Sequence, residues 1–548
     1  MREKVIYILL IGLFIFGCTN EPQLKEGYVK IKGEVTFDRV NVKVIKGGIA
    51  KLDYNNIIKL PARDVLVKAI DINGKPIAST STDKNGKYSL EVPINSDIKI
   101  RVYARMYKKG YWDVRVVDNT NNKAMYVIDG EYHNTGTQTT IRNLHAISGW
   151  TGDGYKEARV SAPFAILDSI YQAMQKIREA DRDAKFPDLT VNWSINNVAS
   201  PGDESSGQII TSNYDGEQNL WILGDENGDT DEFDNHIIIH EWGHYFEDQF
   251  SRADNIGGSH SLGEALDIRV AFGEGWGNAF SGMATDDPIY FDTSGYKQST
   301  GWYMDLENGA QENPGWYSEG SIQRVLYDLY DKTNEPHDKT SLGFKPIYKV
   351  LVGAEKNTPA FTSIFTFIDA LKRENSEYSY SIDKTLSYEN INSIIDAYGS
   401  NRVNRGDIPL YKDLSSGNSV DICTRNNFGV YNKLGNRVYV RVHINSDGVY
   451  TFRANSNSYD IDPDFVLYKT KYPHKQFAIS QIEGSPKDIL TINLQKGDYL
   501  LDIYDASFNG GCINLSLNKE KIKYNQKEKG KVFSKVKLKR RPPKRQYY

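Results

Sequence analysis

Histidine, cysteine and long apolar runs are all scarce in this chain. Only nine of its 548 residues are histidine and three are cysteine. Cys18 closes an N-terminal apolar stretch, so Cys423 and Cys512 leave room for one bridge, tying the two ends of a C-terminal domain. Nothing after Phe16 has the length and apolarity of a transmembrane helix. Neither sign of charge dominates: 67 Lys and Arg against 71 Asp and Glu leave a net charge of −4, which argues against a nucleic-acid binder. With so few histidines, any that cluster are informative.

What is present starts with an address. Arg2 and Lys4 precede an apolar stretch from Val5 to Phe16, too short to span a bilayer and long enough for a signal peptide. Its ending, Ile15-Phe16-Gly17-Cys18, resembles the lipobox of bacterial lipoproteins. That resemblance implies that Cys18 is lipid-modified and becomes the mature N-terminus. The expected location is the cell envelope, lipid-anchored at the outer membrane or cell surface, with secretion as the alternative.

The length suits about three or four domains, and 39 % hydrophobic residues is ample for packed cores. A polar tether over 18–27 leads into 28–140, where Val65, Val67 and Ala69, then Tyr88, Leu90 and Val92, then Ile98, Ile100, Val102 and Ala104 alternate as in half-buried strands. Asp71-Ile72-Asn73-Gly74 and Asp83-Lys84-Asn85-Gly86 read as hairpin turns. The run Ser81 to Tyr88 resembles the turn-strand motif of carboxypeptidase-regulatory-like β-sandwich domains. From 141 to 415 helical spacing takes over. Ser161-Ala162-Pro163 starts one helix, and others are expected at Ser321 to Tyr330, Phe361 to Lys372 and Tyr388 to Tyr398. Leu220 to Gly224 is a strand candidate for pairing with an extended substrate. Residues 416–518 return to alternation. Asp447-Gly448-Val449-Tyr450-Thr451-Phe452, Asp462-Pro463-Asp464-Phe465 and Gly497-Asp498-Tyr499-Leu500 in that order resemble the prepeptidase C-terminal domain, a small β-sandwich. The tail, 519–548, carries 13 Lys or Arg against two Glu and reads as disordered.

The densest signal is His240-Glu241-Trp242-Gly243-His244. On a helix the two imidazoles stand one turn apart on one face, where they can share a zinc ion, and Glu241 flanks that ion as a general base. A third ligand has to come from elsewhere. Six residues after His244, where a metzincin needs histidine, stands Phe250. Two glutamates compete: Glu264, 20 residues after His244, and Glu274, 30 residues after it in Phe272-Gly273-Glu274-Gly275-Trp276-Gly277. Glu274 is favoured, because the glycines let its helix approach the motif helix closely. The Glu-Gly-Trp-Gly run resembles the segment that carries the third ligand in several gluzincins, so the stretch from His236 to Asp331 resembles a gluzincin-type zinc metallopeptidase. The resemblance implies one Zn²⁺ held by His240, His244 and Glu274. It also implies Glu264 and Asp267 as groups that steady an imidazole, and a Tyr or His that stabilises the oxyanion. His260, Tyr303, Tyr317 and Tyr327 are open candidates for that donor. The acidic loop Asp225 to Asp234 offers oxygen ligands for Ca²⁺, but its glycine is misplaced for an EF-hand, and Asp234 alternatively caps the motif helix.

The expected architecture is therefore multidomain, an α+β zincin-like domain flanked by two β-sandwiches. The expected activity is a zinc endopeptidase acting on protein or peptide substrates, membrane-bound through its lipid and without a nucleic-acid partner. A lipid-anchored adhesin or binding protein with a non-catalytic metal site is the alternative, and a zinc amidase a third reading.

Overall fold

The computed structural model describes residues 24–308, 312–332, 339–401, 410–471 and 476–520. The export segment with Cys18 and the basic tail from residue 521 lie outside the described residues. Several β-sheets flank a helical region that contains the histidine motif. No helix of the described residues is long and apolar enough to cross a membrane.

The N-terminal part builds β1 (Tyr28–Ile45), β2 (Ile49–Pro61), β3 (Val65–Asp71), β4 (Pro76–Ser81), β5 (Lys87–Pro93), β6 (Asp97–Lys108) and β7 (Trp112–Asp118). The alternation reads out directly in β6, where Ile98, Ile100, Val102 and Ala104 are all buried. Both expected turns form, with Gly74 and Gly86 at positive φ. Only the first closes a hairpin, β3 to β4. The second passes the chain from one sheet to another, because β5 pairs with β1 and not with β4.

Residue 140 is not a break in packing. Three further strands, β8 (Leu189–Trp193), β9 (Asn213–Tyr214) and β10 (Asn219–Ile222), extend the N-terminal sheet in the order β9-β10-β8-β7-β6-β3-β4, and short strands along β6 and β7 make it ten-stranded. The seam is β7 running parallel to β8, Val114 beside Leu189 and Val116 beside Val191. One hydrophobic core runs from Val29 through Trp242 to Ile394 without interruption. β10 is thus an interior strand, between β8 and β9, and the sheet edge beside the motif belongs to Asn213 and Tyr214 rather than to Leu220–Gly224.

Helix α1 (Ala162–Ala180) begins with Pro163 in its first turn, where a missing N–H is harmless. Then come α2 (Asn235–Phe250), α3 (Ile268–Thr285), the hairpin β11 (Ile289–Ser294) and β12 (Thr300–Asp305), and α4 (Glu319–Tyr330). Helices α5 (Phe344–Val350), α6 (Ile364–Glu374) and α7 (Ser379–Tyr388) complete the region. The helix expected from Tyr388 to Tyr398 is absent: α7 ends at Tyr388, Asn390 turns the chain at φ 55°, and Ile391 and Ile394 are buried without helical backbone.

The C-terminal region is a sandwich of a five-stranded and a four-stranded sheet over its own core, including Val440, Phe452, Leu467 and Leu515. A disulfide joins Cys423 to Cys512, paired residues on the first and last strands of the four-stranded sheet. The sandwich is fastened to the helical region by a buried ionic network. Arg269 pairs with Asp267 and with Asp502, Arg437 with Asp502, and the Tyr439 hydroxyl donates to Asp267. Buried charges persist only when paired in this way.

Candidate metal centre

Helix α2 presents His240 and His244 on one face, and the opposite face carries Trp242, which is fully buried among Phe186, Phe246 and Phe280. That aromatic side anchors the helix, so the imidazoles are held rigidly. Helix α3 lies close against it. A Cβ on Gly277 would stand 2.8 Å from Cε1 of His240, so only glycine admits this approach, and Trp276 Nε1 donates to the Gly243 carbonyl at 3.1 Å.

The approach brings Glu274 beneath the imidazoles. Its Oε2 lies 3.2 Å from His240 Nε2, 3.3 Å from His244 Nε2 and 3.4 Å from His260 Nε2. The His240 and His244 Nε2 atoms are 3.1 Å apart. Glu241 offers a carboxylate oxygen within 4.8 Å of both imidazoles, and its Oε2 accepts from the Tyr214 backbone N–H of β9 at 2.8 Å. The remaining imidazole nitrogens have partners behind the site. His240 Nδ1 meets Asn278 Oδ1 at 2.8 Å, and Asn278 in turn donates to Gln323 Oε1 at 2.9 Å. An Nδ1–H donated to that amide oxygen leaves the Nε2 lone pair facing inward, the orientation that a ligating histidine needs. Glu247 stands 3.8 Å from His244 Nδ1, Glu319 stands 2.7 Å from His260 Nδ1, and Asn255 Nδ2 donates to Glu274 Oε1 at 2.8 Å.

The electrostatics follow from this packing. Burial opposes charge on Glu274, His244 and His260, yet their mutual attraction wins. Glu274 is held well below the usual carboxylate range by His260 and His244, His244 is raised well above the usual imidazole value by Glu274, and His260 is raised to about 10 by Glu274 and Glu319.

The other sequence candidates stand elsewhere. Glu264 turns away to Lys433, 3.1 Å distant. Asp267 touches no imidazole: it caps α3 through the Arg269 N–H and binds the Arg269 side chain. Tyr317 is buried with its hydroxyl on the Pro314 carbonyl, outside the cavity lining, as are Tyr303 and Tyr327. His236 is sealed under the site against the Asp287 carbonyl, and burial lowers it to about 4. Asp234 precedes α2, but its side chain accepts from Thr293 rather than capping the helix. The tyrosine that does line the cavity is Tyr290 on β11, its ring 6.2 Å from that of His240 and stacked on Trp302. Asn278, one helical turn after Glu274, and Glu247, one turn after His244, are legible from helical spacing alone.

The cluster opens into a cavity of about 500 Å³. Its wall carries a second group, Asp229, Asp231 and Asp292, whose ligand oxygens lie within 4.8 Å of one another.

Residues 178–378 match the mycolysin C-terminal domain family. No curated protein matches the chain. Among solved structures, the pre-peptidase C-terminal domain of a collagenase from Bacillus anthracis is 14 % identical, over 20 % of this chain and 94 % of that one, with a TM-score of 0.17. The copper-binding protein CorA of Methylomicrobium album BG8 is 8 % identical, over 20 % and 99 %, with a TM-score of 0.15. The lysozyme inhibitor PliG of Aeromonas hydrophila is 11 % identical over the same shares, also at 0.15. Around the His-x-x-x-His motif, then, this chain carries a peptidase-like domain similar to that of mycolysin.

Proposed function

We propose that the protein is a zinc-dependent endopeptidase of the cell envelope, anchored by a lipid on Cys18. The observation that carries this reading is Glu241 standing beside the His240–His244–Glu274 cluster at the base of an open cavity. Two inward-facing imidazole nitrogens and one buried carboxylate fit a catalytic zinc site, which takes three protein ligands and keeps a position open. Zinc held there supplies Lewis acidity toward a peptide carbonyl and toward water.

The chain's own groups do the rest. Glu241, oriented by the Tyr214 N–H, takes the proton of the attacking water and passes it to the departing amine. His260, with Nδ1 on Glu319, directs Nε2 toward the cluster, where an N–H stabilises negative charge on the reacting oxygen. The sheet edge reaches the cavity at Asn213, where an extended peptide can lie alongside it, which suits cleavage within a chain. Glu264 and Tyr317 have no part in this reading.

Purified protein should carry one zinc per chain and cleave unfolded proteins, and Glu241→Gln should keep the zinc and lose the cleavage. Unchanged cleavage by that variant ends the proposal.

A further inference from the structure

We propose that Asp229, Asp231 and Asp292 form a second cation site, for a hard divalent ion of calcium type, in the wall of the same cavity. This inference does not rest on the peptidase reading.

Two separate parts of the chain make the site. Asp229 and Asp231 come from the acidic loop after β10, and Asp292 from β11. Backbone contacts hold these parts together: Asp229 bridges to Ser294, and Gly295 N–H donates to the Gly228 carbonyl at 2.6 Å. The rest of the acidic loop does not join in. Asp225, for example, folds back on the Asn227 N–H.

The cluster lacks positive charge. Arg159 and Arg39 reach this loop and are committed elsewhere in it, Arg159 to Glu232, Thr230 and the Gly224 carbonyl and Arg39 to the Phe233 carbonyl. Asp231 is only 2 % exposed; its Oδ2 accepts from the Ser212 hydroxyl, and its Oδ1 has no hydrogen-bond partner. The Oδ1 atoms of Asp229 and Asp292 are buried and unpartnered as well. Behind them Asp234, fully buried, has a fourth such oxygen and feels the charge of Asp292 and Asp229. Carboxylates are not left buried and unpaired without a compensating charge. Burial, with the charges of Asp225 and Glu232, raises Asp229 to about 6, and burial with the charge of Asp229 raises Asp292 to about 7, so near neutral pH protons and a cation compete for the same oxygens.

The donor chemistry selects the ion. A set made only of carboxylate oxygens, beside a cavity from which water completes the shell, suits calcium rather than zinc. Calcium also tolerates irregular ligand geometry better than magnesium does. Bound there, the ion ties the acidic loop to the β11–β12 hairpin, which carries Tyr290 and Trp302 into the cavity.

The test uses the full chain, freed of calcium with EGTA, exchanged into calcium-free buffer without chelator and then reloaded with one equivalent of zinc. Terbium, a calcium surrogate excited through tryptophan, should give sensitised emission that calcium reverses. Calcium alone should raise the melting temperature by several degrees. Asp231→Asn and Asp292→Asn should lose both responses, and Trp302→Phe should lose the emission while keeping the calcium-dependent melting shift. Asp292 lies at the cavity, so its variant keeps the test sound if Asp231→Asn folds poorly. No calcium shift in the parent chain, or an unchanged shift in Asp292→Asn, overturns the proposal. So does a calcium-indifferent protein in which Asp292→Asn abolishes a preference for Lys or Arg beside the cleaved bond, since the carboxylates then receive a substrate side chain.

Discussion

Two groups of ionisable side chains line one cavity, and they differ in how their charge is balanced. Around Glu274, His260 and His244 supply the positive charge, His240 lies within hydrogen-bond reach, and a carboxylate or amide stands behind each ring, so Glu274 is compensated without an ion. Around Asp231, carboxylates meet carboxylates and several oxygens have no partner. The first arrangement is preorganised for a ligand that exchanges with protons on histidine. The second is strained until something positive arrives. Tyr290 lies between them and feels both: burial first, then Asp292, Glu241, Asp231 and Glu274 push its hydroxyl well above the usual phenol value.

The comparison is broken most severely at the imidazole group. Glu241→Gln should lower peptide hydrolysis about 10³-fold at unchanged zinc content, read by a fluorogenic peptide and metal analysis. His260→Gln should lower kcat by about 10²-fold while zinc stays bound. If zinc is lost instead, His260 is a ligand and the donor must be sought at Tyr290. Asn278→Ala, which releases the back of His240, should weaken zinc affinity by about 10- to 100-fold in a competition titration.

The carboxylate group should show itself in stability instead. Asp229 and Asp292 have folded-state values of about 6 and 7, above their ordinary 3.8. The native state therefore holds more protons than the unfolded chain between those limits. In calcium-free protein the stability contributed by these two groups is therefore fully present below pH 4 and is lost as pH rises to 6 and 7, by at most about 1.4 kcal/mol per unit per group. Melting curves across that range, with and without calcium, should show a falling slope that calcium removes and Asp292→Asn reduces. A flat calcium-free profile would show that the two groups are equally well compensated.

What the sequence made legible was local. The four-residue spacing of His240 and His244 places both rings on one helical face, and Gly273 to Gly277 announce a helix that can come close. Residues that act across the fold carried no such mark. Asp292 is 61 positions from Asp231, and nothing in its surroundings on β11 says which loop it faces. Glu319 reaches His260 only because α4 packs against α3. Asp267 misled for the opposite reason: it lies near the motif along the chain, but the start of α3 points it at Arg269 and the C-terminal sandwich. Leu220–Gly224 looked like a sheet edge because Asn213–Tyr214 is too short to show alternation of its own.

The parallel seam between β7 and β8 has a practical consequence. A single proteolytic cut in the connection between Asp118 and Ala162 would leave two pieces still zipped through shared backbone hydrogen bonds and a common interior. Such a nicked chain should elute as one particle and melt as one unit. The N-terminal strands cannot be lent to another enzyme as a cassette, because three strands of their ten-stranded sheet would stay behind.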